Sequence, residues 1–122
     1  MELKNLIERA TEIRNKYQKL EQKLHGKTWG TEQLMGGLVT DIGNLMRVVM
    51  AKEGYRQLKD KDIDKELAHQ FSDCLWSLLV LSSKYDINLE KEFLRTMDLL
   101  DEAIENKEKD LKTHNITKSS TS

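Results

Sequence analysis

No proline interrupts the 122-residue sequence, and only six glycines do. Proline is the residue helix interiors exclude most strongly, and strand-rich folds need turn residues every few positions. A chain that lacks the first and is sparing with the second is free to run in long helices. Charged residues make up 34% of it and hydrophobic ones 38%, so apolar side chains must be gathered on faces to build a core. The fold class this predicts is all-α, a four-helix bundle in one domain.

The periodicity divides the chain. Leu3, Leu6, Ala10, Ile13, Tyr17, Leu20 and Leu24 recur in steps of three and four, lining one face of a first helix over about 2–25 that His25-Gly26 ends. Thr31 is the expected cap of a second helix over 31–53, with Leu34, Leu38, Ile42, Leu45 and Val49 on its buried side, Met35, Met46 and Met50 beside them, and Gly54 as the stop. Asp62 or Asp64 opens a third helix over 62–84 carrying Leu67, Phe71, Cys74, Leu75, Leu78 and Leu79. Asn88 caps a fourth over 88–112 with Leu89, Phe93, Met97, Leu100 and Ile104 on one side. The Ser/Thr-rich residues 113–122 have no apolar period and read as a disordered tail.

Twenty Lys and Arg against twenty-one Asp and Glu give a net charge of −1, without the basic excess of a nucleic-acid binder. The charge is unevenly spread, with twelve bases and eight acids in residues 1–61 and eight bases and thirteen acids in 62–122. The single cysteine, Cys74, can make no internal disulfide, which fits a reducing cytoplasm. The longest unbroken apolar runs, at 48–51 and 78–81, are too short to cross a bilayer, so no membrane partner is expected. The apolar faces of the first two helices exceed what a small bundle hides, and a homodimer or higher homo-oligomer is expected to cover them.

The second and third helices are the most apolar, yet each carries two oxygen-bearing side chains three residues apart: Asp41 and Asn44, then Gln70 and Asp73. Carboxylates in such surroundings must reach water, pair with a cation such as His69, Arg47 or Lys52, or bind metal. Two such pairs facing one cleft would supply hard oxygen ligands suited to Mg²⁺ or Mn²⁺, whereas the scattered histidines and lone cysteine show no zinc spacing. Trp29, a large aromatic in a short polar connector, reads either as a packing anchor or as a platform for a ligand.

The stretches Gly37-Leu38-Val39-Thr40-Asp41-Ile42-Gly43-Asn44-Leu45, Glu66-Leu67-Ala68-His69-Gln70-Phe71-Ser72-Asp73-Cys74-Leu75-Trp76 and Tyr85-Asp86-Ile87-Asn88-Leu89-Glu90 resemble the MazG-like all-α nucleoside triphosphate pyrophosphohydrolases. The resemblance covers residues 28–104. It implies metal-dependent hydrolysis of a nucleoside triphosphate to monophosphate and pyrophosphate, with Asp41, Asn44, Gln70 and Asp73 at the positions where the family typically carries four acids. Two of the four are amides here. An amide keeps an oxygen ligand but loses its charge, so the ion would be held more weakly. Glu66 and His69 are the candidates for general base, each with a plain solvated or structural role as the alternative. Arg47, Lys52 and Arg56 either meet phosphates or form a basic solvated face. The alternative to an enzyme is a catalytically degenerate relative that serves as a nucleotide-binding or protein-interaction module.

Overall fold

A computed structural model describes residues 2–58 and 62–121, with side chains through residue 114. It is all-helical: α1 (Leu3–His25), α2 (Thr31–Lys52), α3 (Ile63–Lys84) and α4 (Leu89–Thr121). The chain divides into two compact units, Met1–Ile87 with the first three helices and Asn88–Ser122 with α4.

Local chemistry sets the helix ends. Gly26, in the left-handed region at φ 72°, returns its N–H to the Gln22 carbonyl and closes α1. Gly30 takes the cap position of α2 in place of the expected Thr31, because the Gln33 side chain reaches back to accept from the Gly30 N–H at 2.9 Å. Asp62 caps α3 by accepting from the Lys65 N–H, and Asn88 does the same for Lys91 at the start of α4. Between them Asp86 turns the chain with φ 54°, a conformation Asp tolerates better than most residues. The α4 backbone stays helical to Thr121 instead of stopping near 112, since no proline or glycine breaks it.

Within the first unit α3 is central, packed against α2 on one side and α1 on the other. The α2·α3 seam buries Leu34, Leu38, Val48 and Ala51 against Cys74, Ser77, Leu79 and Val80. This seam is rotated from the expected one. Ile42, assigned to the buried side, is exposed together with Met35, Val39 and Met46, and the buried set is shifted round the helix toward Val48. On α1 only Ala10 of the apolar stripe is buried, while Tyr17, Leu20 and Leu24 stay exposed. By length and composition α2 could cross a bilayer, which the run-length criterion missed because isolated polar residues such as Asp41 and Arg47 break the runs without lowering the average much.

Candidate functional site

A cleft of about 1050 Å³ opens in the first unit, walled by α1, the 26–30 connector, α2 and α3. From α1 come Arg14, Tyr17 and Glu21, whose steps of three and four place them on one face. From α2 come Gln33, Gly37, Thr40 and Asp41, and from α3 Ser72, Asp73, Trp76 and Ser77.

One side of the cleft is held by an ion pair. The Arg14 guanidinium, 7% exposed, donates from Nη1 to Glu21 Oε1 at 2.9 Å and from Nη2 to the Trp29 carbonyl at 2.7 Å. The other Glu21 oxygen accepts from the Trp29 N–H at 2.8 Å. Both polar backbone groups of Trp29 are thereby tied to α1, and its ring lies over Gly37, where a Cβ would stand 3.6 Å from the indole. The Trp29 N–H, together with Arg14, holds the Glu21 carboxyl below its ordinary value. A second aromatic wall is Trp76, whose indole N–H donates to the Ala10 carbonyl at 3.2 Å and whose ring meets Tyr17 edge-on, centroids 6.1 Å apart.

The same cleft carries Asp41 from α2 and Asp73 from α3. Asp41 Oδ2 accepts from Ser77 Oγ at 3.4 Å, and Asp73 Oδ2 lies 3.2 Å from His69 Nε2. Both act on the buried Cys74, whose thiol is pushed above its ordinary value first by burial and then by the charges of Asp41 and Asp73.

The sequence-derived candidates separate on this geometry. Asp41, Asp73 and Trp29 share the cleft; Asn44 and Gln70 are not among its walls. Asn44 Oδ1 accepts from Arg47 Nη2 at 3.1 Å, so Arg47 engages the amide of its own helix instead of Asp41. The Gln70 oxygen is buried and has no donor among the described residues. Lys52 pairs with Asp64 at 2.6 Å and not with either cleft carboxylate, and Arg56 is exposed on the loop beyond. His69, one turn before Asp73 on α3, is exposed and meets the Asp73 carboxylate, and Glu66 is half-buried. Among the described residues no three His, Cys, Asp or Glu gather into a metal cluster, and of the four expected ligands only Asp41 and Asp73 line the cleft. Two carboxylates do suit a Mg²⁺ that arrives already chelated by phosphates, since that ion is commonly held by one or two carboxylates with the rest of its shell from phosphate and water.

Sequence reasoning overlooked Arg14, Glu21, Gln33, Ser77 and the role of Trp76. The one signal available was the placing of Arg14 and Glu21 two helical turns apart on the Tyr17 face, a charged pair on the edge of an apolar stripe. Comparison with family models, with curated proteins and with solved structures finds no match.

Proposed function

We propose that this chain is a homologue of the MazG-like nucleotide pyrophosphohydrolases, and that its cleft takes a metal-chelated nucleoside triphosphate and hydrolyses it to the monophosphate and pyrophosphate. The observation that carries the reading is that one cleft unites Asp41 and Asp73, from facing helices, with aromatic walls at Trp29, Trp76 and Tyr17. A planar base stacks on such walls, and the aspartates face the ion carried by the phosphates. In the hydrolysis a water oxygen bonds to the α-phosphorus while the bond from that phosphorus to the bridging oxygen breaks, and pyrophosphate leaves. In this reading Asp73, whose carboxylate lies 3.2 Å from His69 Nε2, would orient that water.

A second reading, a nucleotide-binding module without turnover, draws on the engagement of Asn44 by Arg47 and on the commitment of the cleft's third carboxylate, Glu21, to Arg14 and the Trp29 N–H. Pyrophosphate release from a panel of nucleoside triphosphates with Mg²⁺ or Mn²⁺ separates the two. The enzyme reading expects release that falls at least tenfold in Asp41→Asn and in Asp73→Asn. The module reading expects a melting temperature raised by Mg²⁺-nucleotide with no release, and a gain of release in Asn44→Glu, Gln70→Glu. Neither release nor a thermal shift with any nucleotide refutes both.

A further inference from the structure

We infer that Gln33 is a specificity-determining residue of the cleft: a fixed hydrogen-bond donor that selects nucleotides whose base carries a carbonyl oxygen at pyrimidine position 4 or purine position 6 over those with an amino group there. The inference rests on the reading of the cleft as a nucleotide site, and it adds which bases that site takes.

An amide side chain offers an acceptor at one end and two donors at the other, and turning it over exchanges them. The Gln33 amide is locked against that exchange. Its oxygen accepts from the Gly30 N–H at 2.9 Å, a group that only donates, so the nitrogen is the end left for a ligand. The Gly30 N–H is itself held in place. It belongs to the peptide whose carbonyl, that of Trp29, accepts from Arg14 Nη2 at 2.7 Å, and the Trp29 N–H before it is held by Glu21 at 2.8 Å. One peptide unit thus fastens the Gln33 amide to the aromatic on which the base stacks. Both residues line the cleft. Gly36, one turn further along the same face of α2, lines it as well, and a Cβ there would meet no atom within 4 Å, so the edge of a ring has room beside the amide.

The hydroxyls of the cleft do not duplicate this donor. Thr40 Oγ1 gives its hydrogen to the Gly36 carbonyl at 3.1 Å, Ser72 Oγ to that of Ala68 at 2.9 Å, and Ser77 Oγ to Asp41 at 3.4 Å. The Tyr17 hydroxyl rotates to donate or accept and so does not discriminate. Uracil, thymine, guanine and hypoxanthine carry a carbonyl oxygen at the selected position, whereas cytosine and adenine carry an amino group. Against the Gln33 nitrogen the first four gain a hydrogen bond. The other two set donor against donor and leave both groups unpaired.

The test compares nucleotides that differ at that one position, uridine with cytidine triphosphate and inosine with adenosine triphosphate. Their α,β-methylene forms, which resist cleavage at the α-phosphorus, are titrated with Mg²⁺ into the full chain and followed by quenching of tryptophan fluorescence. The wild type should bind the carbonyl member of each pair at least tenfold more tightly. Gln33→Glu keeps an oxygen on the Gly30 N–H, as glutamate does in a capping box, and puts an acceptor where the donor was. It should reverse the order in both pairs, and the ratio within one protein cancels the repulsion that its charge adds toward the triphosphate. Gln33→Met supplies neither group and should bring the members of each pair to within about threefold of each other. Circular dichroism should show the same helix content in all three proteins. Equal wild-type binding within the pairs, or an order that Gln33→Glu leaves unchanged, overturns the inference and leaves the nucleotide reading standing. So does a Gln33→Glu effect that disappears with the 2′-deoxy form of the uridine compound, which would place the amide on the sugar. Binding of none of the four compounds overturns the inference and the nucleotide reading together.

Discussion

Arg14 shows what a charged side chain does when it is buried for position. Its guanidinium ends on a carboxylate and a carbonyl, and together with Glu21 it ties down both the N–H and the carbonyl of Trp29. Replacing it by Met keeps much of the volume but leaves Glu21 and the Trp29 carbonyl short of donors, so Arg14→Met should lower the melting temperature by on the order of 5–10 °C and shift Trp fluorescence to the red as the indole loosens. The Glu21 carboxyl adds a pH dependence. Because the fold holds it below the ordinary value of 4.5, its contribution to stability is fully present above that value and is lost as pH falls through the lower folded value. Melting temperature followed from pH 7 to pH 3 should therefore drop more steeply for the wild type than for Glu21→Gln; parallel curves would refute the arrangement.

At the scale of the element, the helices were legible because their signals are local. Gly26, Asp62 and Asn88 act within one turn of themselves, and the absence of proline lets the segments between them run unbroken. The face each helix buries was less legible, because α2 is apolar round more than half its circumference and its own sequence cannot say which part meets α3. Ile42 and Leu38 look alike in the periodicity; packing separates them, with Leu38 buried in the seam and Ile42 outside it. Leu38→Ala should accordingly cost about 3 kcal/mol in denaturant unfolding, with the midpoint lowered and the slope unchanged. A cost under about 1 kcal/mol would place the seam elsewhere on α2.

Across the whole molecule the candidate site was readable in part. Asp41, Asp73 and Trp29, singled out by polar spacing and by an aromatic in a polar connector, do line one cleft. Arg14 and Trp76 were not singled out, since each looks ordinary on its own helix and gains meaning only when α1 lies against α3. The first unit also has a use for its one thiol. Cys74 is buried, and burial together with the charges of Asp41 and Asp73 holds its thiol above the ordinary value, so the sulfur should react faster when α2 and α3 part. Alkylation of this single sulfur should be at least a hundredfold slower in the folded chain than in urea, and should accelerate in Leu38→Ala. The rate at which a bulky maleimide attaches would then be a clock for separation of the two helices, built into the native sequence and read without adding a probe elsewhere.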